Sequence, residues 1–271
     1  MPKKPKSQPK AYENQDFLYS RDGRALRILA EYHEPQARLG HYNVTDTVVF
    51  MGSARLPSAE AAAAAIAAAE RGEGDLAAAQ RMQGMSVYYE AARELAQRLT
   101  EWSKGLGDDE RRFVVCTGGG PGIMEAANRG ASEAKGLNVG LTISLPFEEF
   151  ENPYISRELA FHFHYFFMRK FWFLYLAKAM IFFPGGFGTL DELFETLTLV
   201  QTHKMRKKMP MVLFGSSFWE KIINLDALVD AGTISPEDLD LLFHTDSVDT
   251  AFDYITKGLM ADAIDKPGPT L

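Results

Sequence analysis

The run Pro184-Gly185-Gly186-Phe187-Gly188-Thr189-Leu190-Asp191-Glu192 opens a helix with glycines directly after the apolar segment Ala179 to Phe183. Glycines let a backbone turn sharply and approach a ligand without a Cβ in the way. The first free N–H groups and the positive end of the helix dipole then face whatever sits there. The turn is an anion site of phosphate size. Thr189 adds a hydroxyl, and Glu192, one turn into the helix, brings a carboxylate to the same cavity. An acid beside a bound phosphate implies chemistry on a phosphorylated molecule rather than simple holding of it. A second turn repeats the arrangement: Phe113 to Thr117 reads as a buried strand, and Gly118-Gly119-Gly120-Pro121-Gly122 leads into a helix from Ile123 to Lys135. Neither is a P-loop, since no Gly-Lys-Ser/Thr follows, and neither has the Gly-x-Gly-x-x-Gly spacing of a dinucleotide fold.

Arg169 and Lys170 enter a segment, Phe166 to Leu176, that is otherwise overwhelmingly aromatic and aliphatic. Both could snorkel to solvent from the rim of an apolar face, but the planar guanidinium of Arg169 also suits a phosphate or ribose oxygens. His162 and His164 alternate on a strand and so share a face. With no third ligand at sensible spacing they read as hydrogen-bonded structural residues, and no metal is expected.

The segment Pro184 to Glu192 resembles the PGGxGTxxE motif of the LOG ("lonely guy") family, and Arg169-Lys170 the Arg-Lys pair upstream of it. These are cytokinin-activating phosphoribohydrolases long labelled "possible lysine decarboxylases". The similarity runs from Val48-Val49-Phe50-Met51-Gly52-Ser53 through Gly118 to Met124 and on to about Gly215. Where plant-type members carry Met-His before the pair, this chain has Phe166-Phe167-Met168, which resembles the longer bacterial branch. The resemblance implies Arg169 and Glu192 as catalytic residues. It implies contacts to substrate or phosphate from Gly52, Ser53, Gly118, Gly119, Gly120, Gly122, Glu148, Lys170, Gly185, Gly186, Gly188, Thr189 and Thr198. Geometry alone makes Thr198 a core threonine bonded to its own helix.

The elements that must position these residues are legible as alternation. Short apolar runs at Thr47 to Met51, Phe113 to Cys116, Val139 to Leu145, Leu159 to Phe163, Ala179 to Phe183 and Met211 to Phe214 alternate with segments of helical period. The fold class is therefore α/β, a Rossmann-like doubly wound parallel sheet with helices on both faces, with the glycine turns at the carboxyl edge of the strands. A chain of 271 residues suits one such domain. The expected organisation is a disordered basic tail over residues 1–20, a single domain over 21–260 and a frayed tail over 261–271. An alanine-rich helical insertion at 59–84 should form an exposed hairpin turning at Arg71-Gly72-Glu73-Gly74, or serve a partner. A helix from Arg24 to Tyr32 should pack as an extension of the domain.

A net charge of −7 excludes a broad nucleic-acid surface, and Phe171 to Phe183, broken by Lys178, is too short for a membrane span. Cys116, the single cysteine, reads as a buried small hydrophobe suited to a reducing cytoplasm. The aromatic helix from Phe166 has apolar residues in every direction around its axis, which calls for burial by a second copy, so a homodimer is expected. The function expected is cleavage of the N-glycosidic bond of a purine nucleoside 5′-monophosphate, AMP or an N6-modified AMP, to free base and ribose 5-phosphate without a cofactor. The rival is a non-catalytic carrier or sensor of a nucleotide or cofactor, which would have no use for a carboxylate and arginine aimed at a ribose.

Overall fold

Short β-branched and aromatic runs bounded by glycine or proline form the strands of a parallel sheet in the computed structural model, which describes residues 8–107, 111–144 and 152–269. The strands are β1 (Thr47–Met51), β2 (Val114–Thr117), β3 (Asn138–Ile143), β4 (Ala160–Phe163), β5 (Ala177–Phe182), β6 (Met211–Phe214) and β7 (Phe243–Thr245). They lie in the order β4-β3-β2-β1-β5-β6-β7, all parallel. The order runs outward from β1 to β4 on one side and restarts at β5 on the other. The crevice above β1 and β5 is thus the topological switch point where sheets of this kind bind ligands.

The helices are α1 (Gln15–Tyr19), α2 (Arg24–His41), α3 (Ala59–Glu70), α4 (Leu76–Lys104), α5 (Ile123–Glu133), α6 (Phe166–Tyr175), α7 (Phe187–Gln201), α8 (Ser216–Ile222), α9 (Leu225–Asp230) and α10 (Val248–Asp262). Period-two alternation divides the core between the two faces of the sheet. On β1, Val49 and Met51 join Leu39 of α2, Trp172 and Phe173 of α6 and Leu193 of α7. Val48 and Phe50 join Tyr89 and Leu95 of α4, Ile123 of α5 and Ile255 of α10 on the opposite face. Each of these large side chains, withdrawn from water, contributes about 1.5–3 kcal/mol.

Several expectations are revised by the structure. The helix expected over Arg24 to Tyr32 runs on to His41 through a buried Pro35. The hairpin turn falls where expected, with Gly72 and Gly74 at positive φ and Asp75 capping α4. The second helix of that hairpin, α4, continues unbroken past residue 84 and buries Tyr89, Ala92, Leu95 and Leu99 in the core. The tail expected over residues 1–20 contains helical turns at Ala11–Glu13 and Gln15–Tyr19, and Arg27 donates to the carbonyls of Leu18 and Ser20. The segment after α10 is tied down as well. Arg112 donates to the carbonyls of Ala263 and Ile264, Lys178 to that of Lys266, and Asp46 accepts from the amide of Gly268.

The apolar surface of α6 is largely covered by the chain itself. Trp172, Phe173 and Leu174 are buried, the Trp172 indole donates to the Glu31 carbonyl of α2, and Tyr32 packs on Phe171 and Trp172. The reason for expecting a second copy over the whole helix therefore fails, because α2 provides that cover. Phe166 and Phe167 alone of its large apolar residues remain about half exposed. Among the described residues, no helix is long and apolar enough to cross a membrane.

Candidate active site

Three glycine turns meet at the carboxyl edge of β2, β1 and β5, which are neighbours in the sheet. The amide of Ser53 donates to the Pro184 carbonyl at 3.0 Å, and that of Ile123 to the Ser53 carbonyl at 3.1 Å, so the β1 turn ties the other two together. Gly52 and Gly122 are demanded by this closeness. A Cβ on Gly52 would fall 2.7 Å from Ile123, and one on Gly122, at φ 68°, would fall 2.3 Å from the Ser53 carbonyl oxygen. The Ser53 hydroxyl is used within its own turn, accepting from the Arg55 amide.

The turn after β2 is held from behind by a buried polar network that sequence reasoning did not anticipate. Thr117 donates to Asn128 at 2.6 Å and accepts from the Gly119 amide at 3.0 Å. Asn128 is held in turn by Asn138 and Asn152. A polar asparagine on the inward face of the otherwise apolar α5 was the signal that could have disclosed it. Behind Gly118 stands Arg169, whose guanidinium nitrogen would lie 4.0 Å from a Cβ there, and whose guanidinium carbon lies over the rings of Phe166 and Phe173 at 4.7 and 5.6 Å.

No side chain caps the N-terminus of α7 or that of α5. The first amides of a helix have no carbonyl of their own to bond; at α5 the first of them, that of Ile123, is taken by the Ser53 carbonyl, whereas the head of α7 offers its amides to the crevice. Thr189 is buried against Gly185, where an added Cβ would sit 2.1 Å from its hydroxyl oxygen. Gly186 and Gly188 have open space where a Cβ would be, so the packing of this chain does not require glycine there. Their lack of side chains leaves the amides at the head of α7 approachable.

Glu192 is 5% exposed and lies 3.5 Å from the Lys170 ammonium. Burial pushes its carboxyl up to about 7. Lys170 opposes that rise, the Glu195 carboxylate adds to it, and the Arg169 charge and Asp191 act in smaller measure in opposite directions. Lys170 also pairs with Asp191 at 2.8 Å and Glu195 at 2.6 Å. Desolvation pulls the ammonium down, but the bonds to Asp191 and Glu195 and the charge of Glu192 outweigh it, so Lys170 is held protonated. Lys170, which the resemblance implies as a contact to substrate, has its ammonium among three carboxylates of α7. Asp191 and Glu195 flank Glu192 on α7, but nothing in their spacing shows that a lysine from α6 would sit between them.

The structure therefore brings together Gly52, Ser53, Gly118, Gly119, Gly120, Gly122, Arg169, Lys170, Gly185, Gly186, Gly188, Thr189 and Glu192 along one edge of the sheet. Thr198 is not with them. It is exposed, not in the core, although its hydroxyl does donate to its own helix at the Phe194 carbonyl, and it borders an apolar cavity with Leu197, Leu225 and Leu242. Glu148 lies outside the described residues. Among the described residues no cluster of three or more histidines, cysteines or acids could hold a metal ion. Cys116 is buried, and burial pushes its thiol well above the usual range.

Fold and site together define a Rossmann-like α/β protein with glycine-led helix ends at its switch point and a buried carboxylate beside them. The family described as "Possible lysine decarboxylase" matches residues 124–255, a span that contains Arg169, Lys170 and the whole of Pro184 to Glu192. Over that span, just under half of its length, the chain is similar to this family. A curated relative, cytokinin riboside 5′-monophosphate phosphoribohydrolase LOG7 of Arabidopsis thaliana, is 31% identical over 100 residues. That match takes in 33% of this chain and 46% of the relative, so the chain spans less than half the length of LOG7. Among solved structures, TM1055 is similar at 21% identity and TM-score 0.48, over 78% of this chain and 99% of that one. The molybdenum cofactor carrier protein of Chlamydomonas reinhardtii is similar at 16% identity and TM-score 0.43, over 80% and 99%.

Proposed function

We propose that the protein hydrolyses the N-glycosidic bond of a purine nucleoside 5′-monophosphate, AMP or an N6-modified AMP, giving free base and ribose 5-phosphate. The observation that carries this reading is Glu192, a buried carboxyl poised near neutral pH beside the uncapped glycine turn of α7 and within the field of Arg169. The similarity to LOG7, whose name states this activity for the plant protein, supports it.

In this reading the amides of Gly186 to Thr189 hold the 5′-phosphate, and the Gly118 to Gly122 turn lies along the ribose. Departure of the base leaves a ribosyl oxocarbenium ion. The Glu192 carboxylate stabilises that cation and positions the water that captures it. Arg169, braced by Phe166 and Phe173, orients the substrate and assists the departing base. Lys170 acts on substrate through Glu192, holding it between Asp191 and Glu195. No step requires a cofactor. A carrier would need the anion turns but not a carboxylate whose burial raises its proton affinity.

Chromatography of a panel of nucleoside monophosphates incubated with the protein tests the reading. Free base from a purine monophosphate supports it, and nucleotides bound but recovered intact would establish a carrier instead. Adenosine, lacking the phosphate, should show a kcat/KM lower by at least ~100-fold, since binding energy from the phosphate positions the anomeric carbon. Equal turnover of adenosine and AMP would contradict the phosphate assignment.

A further inference from the structure

At the carboxyl end of β3 a chain of hydrogen bonds lies outside the site described so far. The Thr142 hydroxyl donates to the Phe161 carbonyl at 2.7 Å, Thr142 Oγ1 meets His162 Nδ1 at 2.9 Å, and His162 Nε2 meets the Ser144 hydroxyl at 2.6 Å. The proton positions follow from counting. Thr142 has one hydroxyl proton, which goes to the carbonyl, so its oxygen receives a proton from Nδ1. In the neutral imidazole Nε2 is then an acceptor, and the hydroxyl proton of Ser144 is committed to it. The Ser144 oxygen is left able only to accept from a further partner.

The chain is close to the nucleotide crevice. Thr142 abuts the second glycine turn so tightly that a Cβ on Gly119 would fall 2.4 Å from its methyl carbon. Ser144 lies two residues further on, just past the end of β3 at the carboxyl edge, and is exposed, as is His162. From β5, which feeds the phosphate turn, to β3 the sheet steps across β1 and β2. Three strand spacings come to roughly 14 Å, so a mononucleotide whose phosphate lies over β1 and β5 can point its base toward β3.

We propose that Ser144, fixed as a hydrogen-bond acceptor by the Thr142–His162 pair beside the Gly119 turn, reads the exocyclic amino group of the nucleobase, so that amino bases are taken in preference to oxo bases. The inference rests on the nucleotide reading above and adds to it a specificity residue, Ser144, and a positioning residue, His162. An oxo base presents its carbonyl oxygen to another acceptor, so AMP should be favoured over IMP by about tenfold, the worth of one hydrogen bond.

The test compares AMP and IMP with the wild type, Ser144→Ala, Ser144→Thr and His162→Phe. Calorimetric binding is measured with each substitution placed in a Glu192→Gln background, where the nucleotide is not consumed, and kcat/KM in the active background. The wild type should prefer AMP by about tenfold, Ser144→Ala should bring the ratio to within about twofold of unity, and Ser144→Thr, which keeps the hydroxyl, should restore it. His162→Phe should lose the preference mainly through KM. An AMP-to-IMP ratio that is unchanged in Ser144→Ala, or absent in the wild type, overturns the proposal. If neither nucleotide releases base, the hydrolase reading fails, while the binding ratio still decides whether Ser144 reads the base.

Discussion

Glu192 combines two properties that conflict in an ordinary surface glutamate: it is withdrawn from water, yet it must carry charge to act on a ribosyl cation. Its carboxyl titrates near 7, so kcat/KM should rise with pH through an apparent pKa of about 7 as the working carboxylate forms. A flat profile between about pH 5.5 and 8.5 would contradict that role. The same shift has a consequence for stability. A folded-state value above that of free glutamate means that the folded chain holds the proton more tightly than the unfolded one. The ionised side chain therefore costs stability, a cost absent below the unfolded value and fully present above about pH 7. Glu192→Gln should accordingly stabilise the fold above neutral pH by on the order of 1–3 kcal/mol, seen as a higher Tm. A lower Tm would show that the carboxylate helps hold α6 to α7. The glycine turns, Arg169 and Glu192 were legible in the sequence because a motif of fixed spacing fixes its own local geometry. The Lys170 cluster and the Thr117–Asn128–Asn138–Asn152 network were not, because their partners come from separate elements that only the folded sheet brings together.

The strands show the same division at the level of elements. Six of the strands were expected, because each is a short apolar run of the kind buried on both faces of a parallel sheet. β7 was missed, being three residues with an exposed histidine at an edge. The reach of α2 was underestimated because Pro35 reads as a stop. In the fold Pro35 is buried within the helix, and α2 is what covers Trp172. The end of the chain was read as frayed, since nothing local shows that Asp46, Arg112 and Lys178 hold it from beneath β1, β2 and β5. Asp46 is fully buried, pairs with Arg112 and lies 3.5 Å from the Lys178 ammonium. Asp46→Asn would leave these two cations without their buried anion and should cost about 3–5 kcal/mol, measured by denaturant unfolding. A loss under ~1 kcal/mol would show that water or the backbone carbonyls already satisfy both cations.

For the molecule as a whole, the apolar surface left uncovered on α6 is narrower than its composition suggests. Phe187, which opens α7, is 92% exposed, and Phe166, Phe167 and Phe194 are 40–54% exposed on the two helices that Lys170 joins. Exposed aromatics on adjoining helices suit an interaction surface, and the homodimer expected from the sequence would use these residues. Phe167→Glu combined with Phe187→Glu should then give a folded monomer by light scattering with reduced turnover. A wild type that is already monomeric at micromolar concentration would rule the dimer out. The central claim remains the reaction at Glu192, and base release measured beside nucleotide binding tests it most directly. Wild-type protein given AMP should release adenine and ribose 5-phosphate in equal amounts. Glu192→Gln should bind AMP within about tenfold of wild type yet release base at least ~100-fold more slowly. Base release by Glu192→Gln at the wild-type rate, or AMP bound and returned intact by the wild type, would contradict it.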